Sequence, residues 1–337
     1  MSRRSLVTGG GGFVGRHLVR LLLERGEAVR VLDIADVAGL AGDVEILRGS
    51  ILDADAVAGA LKGVDRLYHL AGNPNLWSRR PLCFLETNFH GTQTVLAAAA
   101  GADLERIVYT STESILKSRR GRSLTAVDES VRWTVEDMPG PYCRSKFLAE
   151  EAAKAAAARG LPVVIVNPTM PIGPGDVHLT PPSRMLLGFL NGETPAYLDC
   201  EFNLVDVRDV AVGHILAADK GEIGERYILG RTNIRMSALL DLLARLTGLA
   251  MPRLKVPYGL ALAAAVVGEG MARLTGRPPI APLAGVRLAR TPMLFDSSRA
   301  VRVLGLPQTP LERSLADAVG WFKEQRLLRR NPLKEIA

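Results

Sequence analysis

Short apolar runs alternate with amphipathic stretches through the first half of the chain. The apolar runs predict strands at Ser5–Thr8, Ala28–Asp33, Val44–Arg48, Arg66–Leu70, Arg106–Ser111 and Pro162–Val166. The amphipathic stretches predict helices at Phe13–Glu24, Ala54–Leu61, Thr87–Ala99 and Tyr142–Ala158. Apolar strands separated by helices are typical of a parallel sheet with helices on both faces. The pattern therefore predicts an α/β fold built on a doubly wound parallel sheet.

This alternation stops near Pro168, where prolines and glycines crowd residues 168–182. The remaining chain predicts helices near Ser183–Leu190, Val207–Ala218, Ser237–Leu246, Leu260–Leu274 and Leu311–Gln325. We therefore expect a nucleotide-binding domain over residues 1–167. A smaller, mostly helical substrate-binding part is expected over residues 168–337, with some elements returning to the first domain. A length of 337 residues suits this division.

Composition indicates a soluble enzyme, with 47% hydrophobic and 23% charged residues. The formal charge of +7 forms no stripe with interleaved aromatics, so no nucleic-acid partner is expected. The basic tail from Arg326 to Lys334 indicates a solvated terminus, with contact to an anionic membrane surface as the alternative. Three cysteines without metal-ligand spacing favour a reduced cytoplasmic compartment and no metal. A homodimer is also expected.

Gly9, Gly12 and Gly15 follow the first predicted strand and open the first predicted helix. In this pattern the first glycine permits a tight turn and the second lets a pyrophosphate approach. The third packs the helix on the sheet, with its N-terminus facing the phosphates. A glycine-rich turn without a ligand is the alternative. The flanking strand and helix favour a dinucleotide site.

Asp33 ends the second predicted strand, about 20 residues after the glycine loop, where a carboxylate accepts hydrogen bonds from the adenosine ribose. A carboxylate repels a 2′-phosphate, and the following Ile34 and Ala35 supply no arginine to bind one. NAD is therefore favoured over NADP. An aspartate that only caps a turn is the alternative.

Tyr142 and Lys146 lie four residues apart in a predicted helix, a spacing that places them on one face. An ammonium under the phenol favours its ionised form and lowers its pKa from about 10. Such a tyrosine exchanges a proton at an alcohol carbon while a nicotinamide exchanges a hydride. In combination with the glycine loop, this pair predicts an oxidoreductase-type enzyme with a small-molecule substrate.

Hydroxyl side chains end the fifth predicted strand at Thr110, Ser111 and Thr112. We favour Thr112 as the hydrogen-bond partner of the substrate oxygen, with Ser111 as its competitor and backbone capping as the alternative. Asn88 lies early in a predicted helix, where asparagine has a low propensity. It either positions the backbone of the active site or caps the helix.

These motifs resemble the extended short-chain dehydrogenase/reductase superfamily, of Rossmann type, over nearly the whole chain. The resemblance implies catalytic roles for Thr112, Tyr142 and Lys146, with ribose contacts from the last two. It implies further cofactor contacts from Phe13, Val14, Ile51, Leu70, Ala71, Gly72, Asn88, Thr110, Pro168 and Ile172. Ser50 departs from the pattern, because the family usually has an aspartate there that faces the adenine.

Two branches of the superfamily are most similar: hopanoid-associated sugar epimerase or dihydroflavonol-reductase-like proteins, and the 3β-hydroxysteroid dehydrogenase group. Phe202 stands where nucleotide-sugar epimerases commonly carry an arginine for the pyrophosphate, which favours an apolar substrate. The predicted helix near Val256–Val267 is apolar nearly all round. A substrate entrance or a bilayer contact is one interpretation, and burial in the small part or in a dimer is the other.

The leading prediction is an NAD-dependent oxidoreductase that acts on a secondary alcohol or ketone of a sterol-, hopanoid- or terpenoid-like substrate. Its substrate residues are Thr112, Tyr142 and Phe202. The alternative is a sugar or nucleotide-sugar epimerase or dehydratase with tightly bound NAD. A dinucleotide-sensing protein without turnover is disfavoured, because a sensor does not need the threonine, tyrosine and lysine of the site.

Overall fold

The computed structural model describes residues 2–35, 37, 39–40, 43–117 and 125–330. Its main sheet has seven parallel strands: β1 (Arg4–Thr8), β2 (Ala28–Asp33), β3 (Val44–Arg48), β4 (Arg66–His69), β5 (Arg106–Thr110), β6 (Val163–Pro168) and β10 (Arg226–Leu229). Their order across the sheet is β10-β6-β5-β4-β1-β2-β3. The chain winds outwards from β1 in both directions, which confirms the predicted doubly wound α/β fold.

Helices cover both faces of this sheet. Those within the first 167 residues are α1 (Phe13–Glu24), α2 (Ala54–Leu61), α3 (Leu82–Phe84), α4 (Gly91–Ala99) and α5 (Gly140–Ala158). Between α3 and α4 the helix continues as a π-helical segment, Leu85–His90. One apolar cluster under the sheet includes Leu18, Leu22 and Val31, and a second on the other face includes Leu67, Leu96 and Ala153.

The C-terminal part contains the remaining helices: α6 (Pro181–Leu190), α7 (Val207–Lys220), α8 (Met236–Thr247), α9 (Tyr258–Thr275), α10 (Leu283–Leu288) and α11 (Leu311–Glu324). Its short strands are β7 (Met170–Ile172), β8 (Ala196–Tyr197), β9 (Glu201–Asp206), β11 (Thr232–Arg235) and β12 (Leu254–Lys255). The predicted helices are present, whereas none of these strands was predicted. Most of them are too short to show a clear alternation.

Two elements of the C-terminal part return to the main sheet. Helix α7 packs against α1, and β10 pairs with β6 as the edge strand. Strand β10 was not predicted, because it is only four residues long and all four residues are buried, so that it shows no alternation. The main sheet is therefore completed by chain segments from beyond residue 168.

Helix α9 leaves most of its apolar side chains exposed. Only Ala265 and Ala272 are buried among its described residues. Burial in the small part, one of the two interpretations of this segment, is therefore wrong for most of its apolar side chains. The basic tail contacts the protein through an ion pair from Arg329 to Glu193 at 2.8 Å. Lys334 of that tail lies outside the described residues.

Candidate active site

The carboxyl edge of the main sheet brings together most of the site residues predicted from sequence. The glycine loop follows β1, Asp33 ends β2, and Ile51 follows β3. The segment from Leu70 to Gly72 follows β4, and Thr110 and Thr112 lie at the end of β5. Also at or next to this edge are Phe13, Val14, Asn88, Tyr142, Lys146, Pro168 and Ile172. Ligands of open α/β sheets bind at this edge.

The glycine loop requires glycine at its first and last positions. Gly9 has φ of +72°, and a Cβ there would lie 2.7 Å from the amide nitrogen of Ala71. A Cβ on Gly15 would lie 2.3 Å from the carbonyl oxygen of Gly9, so α1 packs directly against the loop. Gly12, by contrast, begins the helix with only the Gly9 oxygen nearby, at 3.2 Å from a built Cβ. The loop thus forms a backbone cradle at a helix N-terminus, which fits a pyrophosphate.

Asp33 holds the loop at the end of β2. Its Oδ2 accepts a hydrogen bond from the amide of Gly11 at 3.0 Å, and its Oδ1 accepts one from Ala35 at 3.1 Å. Each carboxylate oxygen keeps acceptor capacity for a further donor. In the strand register, Arg48 of β3 is the partner of Asp33. The carboxylate is thus fixed beside the loop, as a ribose-binding acid requires.

His69 connects β4 to the helix that follows. Its Nδ1 lies 2.7 Å from Thr8 Oγ1, and its Nε2 lies 3.0 Å from Thr92 Oγ1. The Thr92 hydroxyl donates to the Asn88 carbonyl oxygen at 2.7 Å, so the Nε2 of the imidazole is the donor to Thr92. Burial lowers the pKa of His69 to about 3, so the ring stays neutral. This residue therefore has a positioning role rather than a metal-binding one.

Asn88 positions the backbone of the site rather than capping a helix. It is buried in the π-helical segment, where its Oδ1 accepts from the amide of Asn73 at 2.7 Å. Its Nδ2 donates to Ser145 Oγ at 3.0 Å, and that hydroxyl donates to the carbonyl oxygen of Tyr142 at 2.8 Å. The π-turn thus connects the loop after β4 to the turn of α5 that contains Tyr142. Such turns are frequent at functional sites.

Thr112 directs its hydroxyl into a cluster of polar groups next to Tyr142. Its Oγ1 donates to Glu113 Oε2 at 2.9 Å and lies 2.9 Å from Ser114 Oγ. Its carbonyl oxygen accepts from Asn167 Nδ2 at 3.1 Å. The Oγ of its predicted competitor Ser111 is buried and makes no hydrogen bond to the described residues. The geometry thus favours Thr112 over Ser111 as the hydroxyl that faces the tyrosine.

Tyr142 lies at the start of α5, with its ring edge-on to Phe84 at a centroid distance of 6.2 Å. Burial raises the pKa of its phenol well above the usual value, and the Glu113 carboxylate raises it further. Hydrogen bonds with the Thr112 and Ser114 hydroxyls act in the opposite direction. Glu113 was not singled out in the sequence, although it adjoins Thr112. Burial raises its own pKa to about 7.

Lys146 is buried one turn further along α5. Its Nζ donates to the carbonyl oxygen of Thr110 at 2.7 Å and to the hydroxyl of Tyr109 at 3.1 Å. Burial lowers its pKa to about 8, an effect that Glu150 opposes. The ammonium lies over the Tyr109 ring, 4.8 Å from its centroid. A lowering of the Tyr142 pKa by Lys146 stays a prediction, whereas burial is the largest effect on that phenol and raises its pKa.

The loop after β6 closes over the start of α1. Gly173 has φ of +148°, and a Cβ there would lie 2.7 Å from Val207 Cγ1. The carbonyl oxygen of Pro174 lies 2.9 Å from Nε2 of His17 in α1. This contact holds the predicted nicotinamide-side loop next to the glycine-loop helix. Ile172, at the end of β7, is fully buried beneath it.

Phe202 lies in β9 and is only 5% exposed. It belongs to an apolar cluster that includes Met138, Cys143 and Leu186, and Tyr142 packs against the same cluster. The phenyl ring is therefore buried in an apolar cluster and does not form an open wall of a binding site.

A cavity of about 850 Å³ lies beside the first turns of α5. Its apolar lining comes from α3, the π-helical segment, α5 and α9 and includes Leu82, Leu85, Leu148, Tyr258, Leu262 and Val266. Three arginines also line it, Arg144, Arg287 and Arg290, and none of the described acidic residues does. Ser145, which anchors the Tyr142 backbone, lies in its wall, so the cavity adjoins the candidate active site.

The model of the NAD dependent epimerase/dehydratase family matches residues 5–230, a range that contains the glycine loop, Asp33, Thr112 and the Tyr142–Lys146 pair. The chain belongs to this family. The prediction of NAD as the cofactor is confirmed, and the loop and the Asp33 carboxylate fit a dinucleotide. The family is the one that the glycine loop and the Tyr142–Lys146 pair indicated.

Three proteins of known name place the chain within this family. It is 41% identical to a putative dihydroflavonol 4-reductase of Synechocystis sp. over 326 residues, 94% of each chain. It is 35% identical to sterol demethylase protein B of Methylococcus capsulatus, covering 96% of this chain and 99% of that one. The solved structure of MoeE5 in complex with UDP-glucose and NAD superposes with a TM-score of 0.75 at 25% identity. The match covers 96% of this chain and 99% of that one.

Proposed function

We propose that this protein is an NAD-dependent oxidoreductase that acts on a secondary alcohol or ketone of an apolar, sterol-, hopanoid- or terpenoid-like substrate. The observation that carries the proposal is the largely apolar cavity beside the helix that presents Tyr142 and Lys146. A hydrocarbon ligand gains about 0.8 kcal/mol for each CH₂ it removes from water. It can therefore bind in such a cavity without a phosphate clamp.

Three side chains carry the proton chemistry in this proposal. Tyr142 takes the proton of the substrate hydroxyl during oxidation and returns it during reduction. The Thr112 hydroxyl hydrogen-bonds the same oxygen and keeps it next to the phenol. Lys146, held by the Thr110 carbonyl, supplies positive charge behind the site. NAD supplies the hydride acceptor or donor for the carbon atom.

The residues proposed to hold NAD follow from the geometry of the sheet edge. Gly9, Gly12 and Gly15 with the N-terminus of α1 receive the pyrophosphate, and Asp33 receives the adenosine ribose. Ribose contacts near the nicotinamide are assigned to Tyr142 and Lys146. Further contacts are assigned to Phe13, Val14, Ile51, Leu70, Ala71, Gly72, Asn88, Thr110, Pro168 and Ile172.

Relatives of this chain support an apolar substrate. One is named for sterol demethylation and one for dihydroflavonol reduction, and both align with almost the whole chain. The edge-on Phe84 adds apolar surface beside Tyr142. A cytoplasmic location, a homodimer and a boundary between two domains near residue 167 remain predictions.

The second candidate function is a sugar or nucleotide-sugar epimerase or dehydratase that retains its NAD. The observation that favours it is the trio Arg144, Arg287 and Arg290 in the cavity wall, since guanidinium groups bind phosphates bidentately. The similarity to a structure that holds UDP-glucose and NAD is consistent with this candidate.

A substrate panel distinguishes the two functions. The purified protein is incubated with NAD and, separately, with hydroxysterols, hopanoid or terpenoid alcohols, and nucleotide sugars, and NADH absorbance is followed. The proposal expects NADH in proportion to an apolar alcohol and none with nucleotide sugars. An isomerised or dehydrated nucleotide sugar without released NADH establishes the second candidate instead.

A further inference from the structure

Helix α9 presents a continuous apolar stripe to solvent. Leu260, Val267, Met271 and Leu274 follow one another at spacings of seven, four and three positions, which places them on one face, and they are between 60% and 86% exposed. Ala263, Ala264 and Gly270 lie between them and are also exposed. Ile280, in the segment just after the helix, is 96% exposed. This arrangement is the reverse of a surface helix in a soluble protein, whose outward face is polar.

Basic residues predominate in the segment of the chain that contains this stripe. The segment from Met251 to Phe295 contains Arg253, Lys255, Arg273, Arg277, Arg287 and Arg290, whereas Glu269 is its one acidic residue. Its net charge of +5 compares with +7 for the whole chain. Glu269 is paired with Arg273 at 3.2 Å, and Lys255 is paired with Asp199 at 3.0 Å, which leaves Arg253, Arg277, Arg287 and Arg290 outside these ion pairs. Most of the excess formal charge of the protein therefore lies in the segment that contains α9.

We infer that the outward face of α9 docks on the surface of an anionic lipid bilayer. A helix of this kind lies in the membrane interface with its apolar side among the acyl chains, while adjacent Lys and Arg attract acidic headgroups. Charge complementarity selects this occupant over a second copy of the chain. A symmetric contact between two copies would bring two segments of the same positive charge together. Among the described residues, no helix combines the length and apolar character needed to cross a membrane.

The same helix lines the cavity next to the active site. Tyr258, Leu262 and Val266 line it from α9, while Leu260 and Val267 of this helix face solvent. Docking would thus place one wall of the cavity at the bilayer, where an apolar substrate is dissolved. This last point rests on the proposed function, whereas the docking itself does not.

Vesicle sedimentation tests the docking without any substrate. The full-length protein is mixed with vesicles of phosphatidylcholine alone or of phosphatidylcholine with about one-third phosphatidylglycerol. We expect binding to the anionic vesicles that weakens as salt is raised. Leu274→Glu should reduce this binding about tenfold or more, and Arg277→Glu should reduce it about fivefold or more. Ile223→Glu, a matched change at a 51% exposed apolar residue outside the segment, should leave it unchanged.

Three results would overturn the inference. The first is the absence of a preference for anionic vesicles, and the second is equal vesicle binding by Leu274→Glu and the wild type. The third is a protein that does not sediment with vesicles but forms a dimer in analytical ultracentrifugation, which Leu274→Glu dissociates. NADH formation from detergent-dispersed substrates is measured separately, so a failure of docking and a failure of the proposed function remain distinguishable.

Discussion

Two helices of this protein, α1 and α9, are both rich in apolar residues and differ in where those residues point. Helix α1 buries Phe13, Leu18, Val19 and Leu22 against the sheet and α7. Helix α9 buries two alanines and exposes its large apolar side chains. In the first case the chain supplies its own partner surface. In the second it does not, which indicates a surface that functions against something outside the chain.

The largest expected effect comes from one oxygen atom of the candidate active site, which lies at the edge of the same sheet that α1 covers. Tyr142→Phe should reduce turnover by about 10²- to 10⁴-fold, the usual contribution of a positioned acid–base group. Its affinity for NAD, measured by calorimetry, should stay close to that of the wild type. Tyr258→Phe is the matched change in α9; because Tyr258 lines the proposed substrate cavity but does not reach the reacting oxygen in this account, turnover should fall far less than in Tyr142→Phe. Similar losses in both variants would remove Tyr142 from the chemistry.

A pair of leucine truncations compares the two regions in stability. Leu18→Ala removes a fully buried side chain and should lower the free energy of unfolding by about 2–5 kcal/mol. Leu274→Ala removes one that is 86% exposed and should change it by no more than about 0.5 kcal/mol. Urea denaturation of the protein without vesicles measures both. A large loss in Leu274→Ala would mean that α9 is covered in solution.

Cofactor choice should depend on the carboxylate of Asp33, which ends β2 beside the glycine loop that precedes α1. Asp33→Ser removes the charge that repels a 2′-phosphate and leaves Arg48, its partner in the strand register, beside the site. We expect the ratio of NADP to NAD affinity to rise about tenfold or more. The double variant Asp33→Ser/Arg48→Ala should lose that gain. A wild-type protein that already prefers NADP would refute the role of Asp33.

The smallest expected effect is a shift in the pH profile. The Glu113 carboxylate raises the pKa of Tyr142, so Glu113→Gln should lower it. Alcohol oxidation needs the phenolate as base, so the rise of rate with pH should move to lower pH, by about one unit or less. Ser114→Ala removes a hydroxyl that lowers the same pKa, and its profile should move to higher pH. Shifts in the same direction would contradict this assignment.

Six of the seven strands of the main sheet were predicted from the sequence, because most of their residues are apolar and the motifs lie at strand ends. Gly9, Gly15 and Asp33 depend on local spacing and occupy the expected places. The position of Lys146 over Tyr109 could not be predicted, because helix spacing gives the shared face but not the partner from β5.

The exposure of α9 shows the same limit. Its composition predicted a helix that is apolar nearly all round, which suits a buried helix as well as an interfacial one. Which of the two applies depends on what packs against it, and that is a property of the tertiary structure. The π-helical segment that contains Asn88 could not be predicted from the sequence either, because π-helical and α-helical sequences follow similar patterns.

The most direct test of the central claim follows a hydrogen isotope. A sterol or terpenoid alcohol carrying deuterium on its carbinol carbon is incubated with the protein and NAD, and the products are analysed by mass spectrometry. The account predicts free NADH that carries the deuterium, in equal amount to the ketone formed, and none from Tyr142→Phe. It is contradicted if the labelled alcohol gives no deuterated NADH, while a nucleotide sugar deuterated on its sugar ring, run in parallel, is isomerised and keeps its deuterium with no NADH released.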